Sequence, residues 1–127
     1  MEPYSSDDIK RYKKKKFSGK IPEVEAAAIV STEGLPITSA LPQGVDEKEI
    51  AAMTAALLSL SKRALIEIKN DDFDQLYIKG SKGYLLVMQA GPDMHLIVST
   101  KNEVRLGLIL LDCKRACKEI ENEKDEN

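Results

Sequence analysis

The sequence predicts an α/β chain of the α+β class, in which an antiparallel sheet carries long helices, and three observations predict it. The stretch from Val45 to Lys69 (VDEKEIAAMTAALLSLSKRALIEIK) keeps a helical period without a break. Five short runs rich in β-branched and apolar residues flank it, two before and three after. The last three of those runs are separated only by tight turns, so they form an antiparallel meander. The order is therefore strand, strand, long helix, three strands, helix.

Residues 1–22 stand apart as a basic arm or short helix. Seven basic residues lie between Lys10 and Lys20, and Ile9, Tyr12 and Phe17 are loosely helix-spaced among them. Such a run reads first as a solvated arm. Its functional reading is attachment to an anionic surface through Lys13, Lys14, Lys15 and Lys16. Tyr12 and Phe17 do not alternate with the lysines as stacking platforms would, which argues against single-stranded nucleic acid.

Val24 to Ser31 (VEAAAIVS) has apolar side chains on both faces, as in the middle of a sheet. Thr32-Glu33-Gly34 turns the chain into a second strand, Leu35 to Leu41, which Pro36 places at an edge or at its own start. In the long helix, Asp46 is the N-cap, Glu49 completes a capping box, and Val45 and Ile50 close a hydrophobic staple. Glu47 and Glu49 in the first turn, with Lys62, Arg63 and Lys69 toward the end, suit the helix dipole. Asn70-Asp71-Asp72 stops it.

The faces of this helix matter more than its ends. Ile50, Met53, Leu57, Leu60, Ala64 and Ile68 form one apolar stripe, widened by Leu58 and Leu65, and this stripe is expected to pack on the sheet. The opposite side carries Ala51, Ala52, Ala55, Ala56 and Ser59, then Lys62, Arg63 and Ile66, where a surface helix would be charged. A helix apolar nearly all round is covered on both sides. The second cover is expected to be another copy of the protein, approaching over the small residues; helix propensity is the plainer explanation of the alanines.

Beyond the helix, Phe73 to Lys79 alternates, with Phe73, Gln75, Tyr77 and Lys79 on one face and Asp74, Leu76 and Ile78 on the other. Gly80-Ser81-Lys82-Gly83 is a hairpin connection to Tyr84–Ala90, a nearly wholly apolar central strand. Gly91-Pro92-Asp93 leads to the strand Met94–Ser99. Thr100-x-x-Glu103 is a second capping box, predicting a helix to about Ile120 with Leu106, Leu110, Cys113, Cys117 and Ile120 as its stripe. Gly107 inside that helix predicts close packing there, and 121–127 reads as a frayed polar tail.

Composition narrows the functions. The 127 residues suit one domain, and 43% hydrophobic with 31% charged residues is globular composition. A net charge of −2 gives no general pull toward nucleic acid. No run approaches a membrane span, the charged start is unlike a secretion signal, and two cysteines make no disulfide framework, so a reducing cytoplasm is the expected compartment.

The groups that could do chemistry are few. His95, the one histidine, sits mid-strand and reads as a satisfied or surface side chain. Cys113 and Cys117 lie one turn apart on an apolar stripe and read as small buried hydrophobes, short of a zinc ligand set. Asp71, Asp72 and Asp74 lack the ligand spacing of a calcium loop. The Gly80–Gly83 connection joins two strands and has no helix to supply a phosphate-binding dipole. No catalytic residue, metal or cofactor is expected, and the chain reads as a non-enzyme.

Three motifs in order carry a resemblance. Val30-Ser31-Thr32-Glu33-Gly34-Leu35-Pro36-Ile37, Ile50-Ala51-Ala52-Met53-Thr54-Ala55-Ala56-Leu57-Leu58, and Tyr84-Leu85-Leu86-Val87 followed by Val104-Arg105-Leu106-Gly107-Leu108-Ile109-Leu110 resemble the roadblock family, named for dynein light chains and found in prokaryotic regulators of small GTPases. The likeness spans residues 23–120. It implies a profilin-like, five-stranded antiparallel sheet with the long helix on one face and terminal helices on the other. It implies a homodimer, or a heterodimer with a related chain, whose long helices pack together and whose third strands pair. On this sequence the interface would be Ala52, Ala55, Ala56, Ser59, Arg63, Gln75, Tyr77 and Lys79. It also implies a scaffold or regulator that binds a Ras-like small GTPase and biases its nucleotide state or location. Arg63 and Arg105 are the interior arginines that a finger mechanism would need. The alternatives are a small-molecule sensor, with a ligand between sheet and helix near Ala26–Ala28 and Gly107, and an adaptor recruited to membranes by the basic arm.

Overall fold

The computed structural model describes residues 24–101 and 106–126, with side chains over 24–101 and 107–122. The expectations for the 1–22 arm, for Lys13 to Lys16 and for Arg105 lie outside the described residues. The elements are β1 (Val24–Ser31), β2 (Pro36–Ala40), α1 (Glu47–Lys69), β3 (Gln75–Gly80), β4 (Gly83–Gln89), β5 (Met94–Lys101) and α2 (Leu106–Glu126). The five strands form one sheet in the order β2-β1-β5-β4-β3, antiparallel at every junction.

The alternation of side chains across each strand divides the interior into two cores. On one face Ala27, Ile29, Leu86, Met88, Leu96 and Val98 meet Ile109, Cys113, Ala116, Cys117 and Ile120 of α2. On the other Ala28, Val30, Val87 and Ile97 meet Ala51 and Leu58 of α1, with Ile50, Phe73 and Leu76 packed beside them. A central β1 is why VEAAAIVS is apolar on both faces. Pro36 opens β2 at the sheet edge, where its missing N–H costs no ladder bond.

The α1 ends follow the sequence. Lys48 N donates to Asp46 Oδ1 at 2.9 Å, satisfying one of the orphan amides of the first turn. At the other end Asn70 adopts a left-handed conformation, and the amides of Asn70 and Asp71 turn back to Ile66 O and Leu65 O. The rotation of α1 does not follow the predicted stripe. Ala51, Thr54 and Leu58 are its buried residues, whereas Met53, Leu60 and Ile68 are 52, 65 and 82% exposed and Ala64 is exposed too. The helix is turned by about one residue, roughly 100° at 3.6 residues per turn. The reason lies beneath it. Ala28 of β1 and the turn at Gly34 let the backbone approach closely, so small side chains fit against the sheet. Gly34 has φ +93°, and a Cβ there would lie 3.4 Å from Ala55 Cβ and 3.7 Å from Ala52 Cα.

Three other expectations change. Thr100 does not cap α2: it belongs to β5, where its Oγ1 accepts from Tyr84 N at 3.3 Å. Cross-strand pairing to Gly83 and Tyr84 of β4 carries β5 on to Lys101. Gly107 is not closely packed, since it is exposed and a Cβ there meets nothing within 4 Å. Helix α2 continues to Glu126, through the residues read as a frayed tail. That stretch, ENEKDE up to Glu126, is rich in helix formers and holds neither glycine nor proline.

Candidate protein-interaction surface

Two features of the surface stand out: the outer side of α1 and the free edge of β3. Because α1 settles on Ala51, Thr54 and Leu58, it leaves Ala52, Ala56, Ser59 and Arg63 exposed along one outer arc. Met53 and Leu60 extend this arc on one side, and Ile66, 59% exposed, extends it on the other. Large apolar side chains left in water on one helix face are the informative observation, because scattered single ones are ordinary. Ala55 is the exception among the predicted contacts on the helix, being half-buried against Gly34.

The edge of β3 lies beyond β4, with no strand outside it among the described residues. Tyr77 and Lys79 are exposed and Gln75 is half-buried, with Gln75 Nε2 donating to Tyr77 Oη. On the α1 side of the sheet Ile78 and Leu85, paired across β3 and β4, are each 36% exposed. Phe73 was expected on the Gln75–Lys79 face. It precedes β3 instead, packs in the α1-side core and sits 5.8 Å beneath Lys62 Nζ.

Between α1 and the sheet an apolar cleft of about 300 Å³ is lined by Leu41, Val45, Ile50, Met53, Leu57 and Leu85, among others. Thr54 brings a hydroxyl to it, but that Oγ1 donates to Ile50 O at 2.7 Å. Ala26 and Ala27 line it as the sequence suggested, and Gly107 does not, since α2 is on the opposite face.

The groups able to do acid–base or nucleophilic chemistry are dispersed. His95 sits mid-β5, between Val30 and Gln89 in register. It is 1% exposed, and neither Nδ1 nor Nε2 has a hydrogen-bond partner among the described residues. It is therefore not the satisfied or surface histidine expected from sequence, because packing under α1 replaced its water without supplying a donor or acceptor. Burial first, and then the nearby Lys62 ammonium, together lower its pKa to about 4. A base so weak and so enclosed is not a proton acceptor for substrate. Cys113 and Cys117 are buried on the α2 side as free thiols. Desolvation pushes both up to about 12, with Asp112 adding to the effect at Cys113, and Cys113 and Glu121 at Cys117. Such thiols stay protonated near neutrality and are poor nucleophiles. Among the described residues no three His, Cys, Asp or Glu side chains gather as metal ligands. Arg63 is engaged with Glu67, Nε to Oε1 at 3.0 Å, one turn along the same exposed face.

Comparison with known proteins decides the family. A family model described as the Roadblock/LC7 domain matches residues 16–100. The chain belongs to the Roadblock/LC7 domain family. Two uncharacterized proteins of Methanocaldococcus jannaschii are each 35% identical over 97 residues, covering 76% of this chain and 84% of theirs. Among solved structures, the Roadblock/LC7 domain from Streptomyces avermitilis aligns with a TM-score of 0.73 at 22% identity, covering 80% of this chain and 85% of that one. MglB of Myxococcus xanthus aligns at 0.77 with 24% identity, covering 92% and 91%. An MglB solved with a tetrameric arrangement aligns at 0.79 with 18% identity, covering 98% and 91%. These structures share the fold: five antiparallel strands with helices on both faces is the Roadblock/LC7 architecture, as the resemblance implied.

Of the residues the sequence assigned to an interface, Ala52, Ala56, Ser59, Arg63, Tyr77 and Lys79 are exposed, and the large apolar residues that stand exposed beside them on α1 were not anticipated there. Met53, Leu60 and Ile68 were assigned to the core. The available signal was the Ala26–Ala28 run in β1, which leaves little volume beneath α1 for two rows of large side chains.

Proposed function

We propose that this Roadblock/LC7 protein is a non-catalytic dimeric module that binds a Ras-like small GTPase and biases its nucleotide state or location. The observation that carries the reading is the outer face of α1, where Met53, Leu60 and Ile66 stand in water beside Ala52, Ala56 and Ser59. A second copy covers that face best, because small residues let two helices approach while the large ones fill the flanks. The free β3 edge offers the main-chain groups of Gln75, Tyr77 and Lys79 to the same strand of the partner. The GTPase comes from the family resemblance, and the joined surface of two copies is its docking platform. Regulation works by ordering the GTPase's own residues. An arginine finger is the competing mechanism, and Arg63, exposed and paired with Glu67, is its candidate among the described residues: unchanged GTPase turnover with Arg63→Gln removes it.

The test is a pull-down from source-cell lysate with the tagged protein, in GDP or in a non-hydrolysable GTP analogue, followed by mass spectrometry. A Ras-like GTPase retained in one nucleotide state is the expected outcome. Recovery of a related Roadblock/LC7 chain with no GTPase in either state would replace the reading with a heteromeric scaffold.

A second reading rests on the cleft under α1. About 300 Å³ is the lower end of the range for ligand pockets, and its apolar lining suits a small apolar molecule. Native mass spectrometry of freshly purified protein separates the two: stoichiometric extra mass that survives desalting favours a sensor, and bare protein favours a cleft filled by a partner's side chains.

A further inference from the structure

The large side chains that α1 leaves in water stand in line with one wall of the cleft beneath it. Met53 and Leu57 form that wall, and Leu85 and Ile97 belong to the sheet below. At 3.6 residues per turn, Leu60, Ala64 and Ile68 continue the same row along α1. In the strand order β2-β1-β5-β4-β3, a wall that faces Leu85 of β4 is the side of α1 turned toward the β3 edge. Ile78, paired with Leu85, carries the exposed apolar surface from the cleft to that edge.

The two halves of α1 lie over opposite ends of the sheet. The first half borders the cleft, at the end where Leu85 pairs with Ser99 and Gly83 with Lys101. The second half lies at the Gln75 end, where Lys62 Nζ is 5.8 Å from the Phe73 ring and only Asn70 to Asp74 separate α1 from β3. Helix α1 therefore runs against β3. Antiparallel pairing of two β3 edges sets the Gln75 end of one copy beside the Gly80 end of the other, which brings the last turn of one α1 level with the cleft of the other. The charges match. Lys69 is the basic residue of that last turn, whereas Glu47 and Glu49 of the first turn stand next to Val45 at the mouth of the cleft. Helix ends of opposite dipole sign meet there as well.

We infer that the cleft beneath α1 is a socket for Ile68 of a second copy, with Lys69 of that copy set against Glu49. This rests on the β3-paired dimer proposed above and names what closes its cleft. A two-fold dimer makes the contact twice. The apolar row that periodicity assigned to the chain's own sheet then packs on the sheet of its partner.

The test is a crosslink between copies of the full chain. Met53 and Ile68 are about 22 Å apart along one helix, far beyond the roughly 6 Å between Cα atoms that a disulfide spans. With Met53→Cys and Ile68→Cys in the same chain, a bond between the two positions joins two copies. Mild oxidation is expected to give a covalent dimer on a non-reducing gel, and neither single variant is expected to give one. Ile68→Ser is expected to weaken self-association at least about tenfold in sedimentation velocity. Its circular dichroism spectrum is expected to match the parent, because Ile68 is exposed in the single chain. A parent that sediments as a dimer but gives no crosslink in the double variant, or that is unmoved by Ile68→Ser, overturns the socket and leaves the dimer standing. A parent that sediments as a monomer overturns both. A dimer that holds one small molecule per chain in native mass spectrometry, in a form displaced by Leu85→Trp, gives the cleft to a ligand and overturns the socket alone.

Discussion

An imidazole wedged between Val30 and Gln89 under α1 gives this fold an acid limit. His95 is neutral in the native protein because burial, and then Lys62, hold its pKa near 4. In the unfolded chain it titrates near 6.5. Between these values the unfolded state binds more protons than the native one, so stability is full above pH 6.5 and declines as the pH falls toward 4. The loss reaches at most about 3 kcal/mol, from about 1.4 kcal/mol per pKa unit. Urea titrations across this window are expected to show a falling midpoint in the parent, and His95→Leu is expected to flatten that fall. Sequence located His95 in mid-strand but could not show its surroundings. Those depend on Lys62, which α1 brings over β5 from more than thirty positions earlier in the chain.

Helix α1 separates what periodicity decides from what it leaves open. Its existence, its Asp46 cap and its left-handed stop at Asn70 are local chemistry and were legible in the sequence. Its rotation was not, because apolar residues occupy nearly the whole circumference and two arcs compete for the sheet. The competition is settled by β1 and Gly34, distant in sequence, which admit Ala51 and Leu58 and turn Met53 and Leu60 outward. The two leucines should therefore respond differently. Leu58→Ala, at 3% exposure, is expected to cost about 2–5 kcal/mol in chemical denaturation. Leu60→Ala, at 65% exposure, is expected to change the stability of the isolated fold by about 0.5 kcal/mol or less, while weakening self-association in sedimentation velocity. The reverse ranking would restore the stripe that periodicity suggested. The start of α2 was misread for a related reason: Thr100 has the local signature of a cap, but pairing with β4 kept it in the sheet.

At the scale of the molecule, the two sheet edges are unequal. The β2 edge is five residues long, begins with Pro36 and has an irregular register near Ile29 and Val30 of β1, all of which discourage pairing with another chain. The β3 edge, Gln75–Gly80, has no proline and an unbroken register with β4. A second copy is expected there, as on the exposed arc of α1. Ala56→Glu puts a long charged side chain at the centre of that arc and is expected to give a monomer in sedimentation velocity, with helical content preserved. The order of elements along the chain was legible because hairpins and a capped helix punctuate it clearly, whereas the β1–β5 pairing that joins the two hairpins into one sheet is long-range and was not read. Which surfaces are left uncovered emerges only when every element has been placed.

The antiparallel habit of β3 also sets a polarity. Two identical edge strands that pair antiparallel, with both α1 helices on the same side, are related by a two-fold axis perpendicular to the joined sheet. The entry points at Val24 then face in opposite directions, one at each extremity. A dimer built on this edge therefore separates its two chain entries, so a partner bound at one of them leaves the other free.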